Sequence, residues 1–136
     1  MPNVLDNQSY PDNFQIITVL LNHNLESAGF VIPIMYVESR GTGSGIVIDS
    51  IAIGINVVEG AAETVEVVHA TTVEATSGLT SIQTATTSVN ATGTTLPTIN
   101  TSNNFVPAGS WVLAKFNAAQ GTSHGAITIR FRNRLA

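Results

Sequence analysis

Cysteine is missing from this chain of 136 residues, which excludes disulfides, thiolate zinc sites, iron–sulfur clusters and cysteine nucleophiles together. Charge is scarce as well: Asp, Glu, Lys and Arg make up 10% of the residues, against a usual share of about 25%. Only five side chains are basic, Lys115 is the single lysine, and the formal net charge is −4. Neutralising a phosphate backbone takes clustered Lys and Arg, so no nucleic-acid partner is expected. No apolar run approaches the roughly 20 residues that cross a bilayer, and no membrane partner is expected either. The start (Met1, Pro2, Asn3, Val4, Leu5, Asp6) lacks the basic residues and apolar stretch of a signal peptide. A sustained 3.6-residue apolar period is absent throughout, which argues against a helical domain. What is present is apolar: 43% of the residues are hydrophobic, enough for a core and too much for disorder. The length suits one domain.

The few charges are segregated. All nine acidic residues lie in the first 74 positions with one base, Arg40, which gives that part a charge of −8, while the remainder carries +4 and no acid. Between Ala75 and Ala114 no side chain is charged over 40 residues. A monomeric surface usually interrupts such a stretch with Lys and Glu. It therefore either meets another protein surface or forms a Thr-rich solvated face.

Strand signals recur along the chain. Residues 1 to 13 are polar, without period, and read as an arm on which Val4, Leu5 and Tyr10 are too sparse for a local core but able to dock on a neighbour. Phe14 to Leu21 is a strand candidate, apolar on both faces toward its end, closed by a turn at Asn22, His23 and Asn24. Phe30 to Glu38 is a second, and Pro33 places it at a sheet edge or a bulge. Ile51, Ile53 and Ile55 alternate with Ala52, Gly54 and Asn56, and Val65 and Val67 alternate with Thr64, Glu66 and Val68. Residues 71 to 102 hold twelve Thr and four Ser, a composition that favours extended backbone, anchored by Leu79, Ile82, Val89, Leu96 and Ile99. After a turn at Pro107, Ala108 and Gly109, Val112, Ala114 and Phe116 alternate with Trp111, Leu113 and Lys115. A connection over Ala118 to Gly125 then leads to Ile127, Ile129 and Phe131. The expectation is an all-β fold over residues 14–136: a single-domain jelly-roll or β-sandwich of seven to eight short antiparallel strands.

Candidate chemistry is sparse. His23, His69 and His124 sit far apart in sequence and outside any metal-ligand spacing; His23 and His124 read as turn residues and His69 as a strand end. The glycines from 41 to 45 are followed by Ile46 and Val47 rather than the Lys-Ser/Thr of a phosphate loop. Glu66 between Val65 and Val67 points away from them, as a soluble strand face would, which sets aside a carboxylate pair drawn from Glu59, Glu63, Glu66 and Glu74. Asp49 stands alone, without the alternating Asp of a calcium loop. Asn103 and Asn104 suit a turn or a sugar-binding loop. Trp111 reads as a core or interface aromatic, or as a sugar platform if it faces out. The expectation is no enzyme, no catalytic residue, no metal and no cofactor. Arg130, Arg132 and Arg134, spaced by two, project from one strand face, either as an acid-seeking contact surface or as partners of the acidic first half. The uncharged stretch and the small size favour symmetric self-association, expected as a homotrimer.

The closing segment from Phe105 to Phe131 carries a resemblance. A Pro107-Ala108-Gly109 turn opens a strand with Trp111, and a loop containing Gly121 leads to a last alternating strand. This resembles the closing strand pair of small β-sandwich virion proteins of tailed bacteriophages, above all the head decoration, or cement, proteins. The resemblance implies a jelly-roll subunit, assembled as a trimer on the outer capsid surface of the virion, with the major capsid protein as partner and no catalytic residue. Val4, Leu5, Tyr10 and the three arginines are the candidate contacts to capsid or neighbour. The tips of phage fibres and spikes share this β architecture, so a receptor- or glycan-binding tip is the alternative.

Overall fold

The computed structural model describes residues 14–24, 31–57, 64–74, 77–89, 91–116 and 122–134. The expected arm, with Val4, Leu5 and Tyr10, lies outside the described residues. The strands are β1 (Gln15–Asn24), β2 (Val31–Tyr36), β3 (Gly45–Val57), β4 (Thr64–Ala70), β5 (Thr80–Ser81), β6 (Thr87–Ser88), β7 (Gly93–Thr95), β8 (Phe105–Pro107), β9 (Trp111–Phe116) and β10 (Thr122–Arg134). They form two antiparallel sheets, one ordered β1-β10-β3-β7 with β8 also on β3, the other β2-β9-β4-β5 with β6 also on β4. The fold is an all-β sandwich. β5 and β6 lie along one strand, β4, and β7 and β8 along β3. Taking each such pair as one interrupted strand, the sheets run first-eighth-third-sixth and second-seventh-fourth-fifth, which is a jelly-roll order.

The expected count of seven to eight short strands is thus corrected to ten among the described residues. The Thr-rich segment and the turn before β8 break two lines of strand into pieces of two or three residues. Not all strands are short, since β3 and β10 each have 13 residues. Two turns also shift. β1 continues through Asn24 and β10 starts at Thr122, so that Asn22 pairs with His124 and His23 with Ser123. Backbone pairing is indifferent to side-chain polarity, so a polar strand end reads as a turn in sequence yet stays in the ladder.

The core lies between the sheets. Ile127, Ile129 and Phe131 of β10 meet Val112, Ala114 and Phe116 of β9, with Val65 and Val67 of β4. β3 contributes Ile46 and Ile48 from even positions and Ile51, Ile53 and Ile55 from odd ones. A bulge reconciles the two: Phe131 pairs with Ile48 and Arg130 with Ser50, which leaves Asp49 unmatched and switches the inward parity. Pro33 sits where expected, on a strand at a sheet edge with a register shift between Pro33 and Met35. A second bulge brings the Gly54 carbonyl so close to Gly125 that a Cβ there would collide with it.

The Thr-rich segment crosses from one sheet to the other, pinned by Ile82 and Val89 in the core. Leu96, expected as an anchor, is instead 74% exposed. The segment is held by Gln83, which is buried. Its Oε1 accepts the Val67 N–H at 2.7 Å, and its Nε2 donates to the Ala85 carbonyl at 3.0 Å and to Thr87 Oγ1 at 3.2 Å. The amide thereby does for β4 what a ladder residue would do, in the gap between β5 and β6.

Candidate interaction surface

Because inward positions on β10 are Ile127, Ile129 and Phe131, the alternate positions face out, and Arg130, Arg132 and Arg134 are all exposed. The three arginines do lie on one face. Arg132 reaches across to the bulge residue of β3, its Nε donating to Asp49 Oδ2 at 3.2 Å. That ion pair is solvent-accessible and stabilises by no more than about 1 kcal/mol. Arg130 stacks on the Phe14 ring with its guanidinium carbon 4.5 Å from the centroid, and Arg134 on Phe105 at 4.6 Å. An aromatic face beneath a guanidinium fixes its plane and leaves its edge donors free for carboxylates. Of the two readings of the stripe, the cross-sheet pairing applies to Arg132. Arg130 and Arg134 are held by rings.

Beyond the arginines the same outer face carries almost no charge. Thr18 pairs with Thr128 and Leu20 with Ala126, while Thr128 pairs with Ala52 and Ala126 with Gly54. Thr18 and Thr128 share a hydroxyl hydrogen bond at 2.9 Å. Ile16 and Leu20 stand out of this face, 67% and 78% exposed. A shallow hollow of about 490 Å³ lies at the end away from the arginines, lined by Leu20, Gly54, Asn56, His124 and Ala126 among others. Sequence reading left Ile16 and Leu20 unassigned, although the apolar residues on both faces of β1 were the signal for them.

The outer face of the other sheet is different. Val68, Ala70 and Leu113 are buried there beneath Val31, Val73, Leu79 and Trp111. Trp111 therefore covers a small apolar cluster with part of its surface. Tyr36 lies beside it, 47% exposed, the two rings tilted with centroids 5.1 Å apart.

Several other candidates make contacts within the sandwich. Asn104 Nδ2 donates to the Ile48 carbonyl at 3.0 Å and the Asn104 carbonyl accepts the Ile48 N–H at 2.9 Å, which prolongs the β8–β3 ladder by a side chain. Asn103 Nδ2 donates to the Ser81 carbonyl at 3.2 Å. Glu66 faces away from the core as expected and accepts a hydrogen bond from Ser81 Oγ. Burial holds the His69 pKa below its usual value, partly offset by a hydrogen bond to the Asn103 backbone. Comparison with family models, with curated proteins and with solved structures finds no match for this chain.

Proposed function

We propose that the protein is a structural virion component that binds the outer surface of a viral capsid and stabilises it. The observation that carries this reading is the outer face of the β1-β10-β3-β7 sheet. Its small uncharged residues, Thr18, Ala52, Gly54, Ala126 and Thr128, are bordered at one end by three guanidiniums, two of them braced on rings. A face of small uncharged residues suits a broad protein surface, and the arginine row suits acidic groups on that surface. The partner is the major capsid protein. The jelly-roll order recurs in capsid and lectin domains, a fold-level analogy that supports the reading without carrying it.

Stabilisation follows from mass action. A chain that binds the assembled shell and not the free capsid subunit adds its binding free energy to assembly, and many copies sum weak contacts. The test replaces Arg130, Arg132 and Arg134 together by Gln and measures co-sedimentation with intact heads against salt. The reading expects attachment to be lost, or weakened with a shallower dependence on salt. The free protein should still fold, its melting temperature lowered only by the loss of one exposed ion pair and two ring contacts. Undiminished attachment of the triple variant would remove the arginine row from the contact.

A second reading rests on Tyr36 and Trp111. An exposed ring beside a half-buried one can stack on a sugar, as a receptor- or glycan-binding fibre tip requires. Binding of immobilised glycans, abolished by Tyr36→Ala, would favour it over the capsid reading.

A further inference from the structure

From the free edge of β1 we infer that the chain self-associates through antiparallel pairing of β1 with β1 of a second copy, which joins the two β1-β10-β3-β7 sheets into one. Among the described residues β1 pairs only with β10, and that ladder runs from Gln15 to Asn24 without a register shift. Half of its backbone donors and acceptors therefore point along an open edge. Soluble proteins usually protect such an edge with Lys, Pro, a bulge or shortness. β1 has none of these: it carries no charged residue, no proline and no bulge, over 10 residues. The edge of the second sheet is guarded, since β2 has Pro33 and a register shift. The strands at the opposite edges have two or three residues each. The strand of matching length and polarity is thus β1 itself.

Its sequence is self-complementary about a two-fold axis at Thr18. Antiparallel pairing centred there sets Ile16 opposite Leu20 of the second copy on the outer face, Thr18 opposite Thr18, and Ile17 opposite Val19 on the core side. Ile16 and Leu20 are the exposed apolar pair of the face, and Ile17 and Val19 are half-buried at its margin. The central pairs, from Ile16 to Leu20, are apolar with apolar or Thr with Thr, the combinations that stabilise sheets, while the outer ones set Gln15 opposite Leu21 and Phe14 opposite Asn22. No like charges oppose one another. A register from Phe14 to Asn22 is about 30 Å long and buries on the order of 1,000 Å² in total, near the lower limit of specific interfaces. The dimer is accordingly one of micromolar affinity, formed without any capsid present, so its test is independent of the proposed function.

Sedimentation velocity on the full chain from about 1 µM to about 500 µM spans the expected dissociation constant. Wild type should shift from 14.2 kDa to twice that mass. Ile16→Lys with Leu20→Lys sets like charges opposite each other twice and should raise the dissociation constant about tenfold or more. Ile16→Glu with Leu20→Lys sets Glu opposite Lys twice in this register and should keep the dimer, whereas a parallel pairing would oppose like charges. Both variants change exposed side chains, and an unchanged melting temperature verifies the fold. A wild type that stays monomeric throughout, or forms a trimer, overturns the inference. So does a Glu/Lys variant as weak as the Lys/Lys variant, or a chain that dimerises only after deletion of residues 1–13, which would mean that the chain's own first residues cover the edge.

Discussion

Replacing Gln83 by Ala tests how the uncharged segment is tied to the sandwich. The side chain is 2% exposed and makes three hydrogen bonds, to Val67, Ala85 and Thr87. Each contributes about 1 kcal/mol net, and leaving the Val67 N–H unpaired in the interior costs about 1–3 kcal/mol more. The expected loss is about 4–6 kcal/mol, a large part of the stability of an ordinary domain. Denaturant titration gives the free energy from the midpoint and slope. Gln83→Glu sharpens the test, because a carboxylate still accepts from Val67 but faces the Ala85 carbonyl, so burial and repulsion raise its folded pKa. The native state then holds a proton that the unfolded chain releases, and stability falls as pH rises above about 4.3, the unfolded glutamate value. This variant should approach wild type near pH 4 and fall well below it at pH 7. A loss under about 1 kcal/mol for Gln83→Ala would refute the view that this amide takes the place of a ladder residue.

Three further outcomes follow from single sites. His69 has its pKa lowered by burial, so the unfolded chain binds the proton more readily. Its contribution to stability is complete above about pH 6.5 and is lost as pH falls from there toward the folded pKa; His69→Gln should flatten that slope in urea titrations at pH 7.5 and 5.5. Gly125→Ala should destabilise by about 2 kcal/mol or more, because its Cβ meets the Gly54 carbonyl, whereas Gly54→Ala, whose Cβ meets nothing, should be neutral or mildly stabilising in thermal melts. Arg132→Gln should change folding stability by less than about 1 kcal/mol, since its pair with Asp49 is exposed to solvent; a larger loss in the same melts would mean that the pair holds the β3 bulge.

Much of the sandwich was readable along the chain, because β9 and β10 keep one parity throughout. Val112, Ala114 and Phe116, and Ile127, Ile129 and Phe131, face the core as their alternation indicates. β3 was readable only in its second half. Its parity switches at Asp49, and a bulge is set by the pairing partner rather than by the strand that carries it. Short strands were expected in the Thr-rich segment, with Leu79 to Thr87 and Leu96 to Ile99 as its ordered pieces. The bounds of β5, β6 and β7 were not legible, since their Thr, Ser and Gly residues supply no inward-outward contrast. Gln83 escaped notice because an amide in a Thr-rich stretch looks solvated until the neighbouring strand is in place. The arginine stripe was visible from its spacing of two, but the rings beneath Arg130 and Arg134 come from Phe14 and Phe105, both distant in sequence. Tyr36 and Trp111 meet only because β2 pairs with β9.

The most direct test of the proposed role is saturation binding of the wild-type chain to intact heads lacking it, read by co-sedimentation and quantitative gel densitometry. The proposed function predicts a saturable plateau at a fixed ratio to the major capsid protein, with heads at the plateau surviving heating or osmotic shock that opens bare ones. Absence of binding, or a plateau that leaves the shell no more resistant, would contradict it.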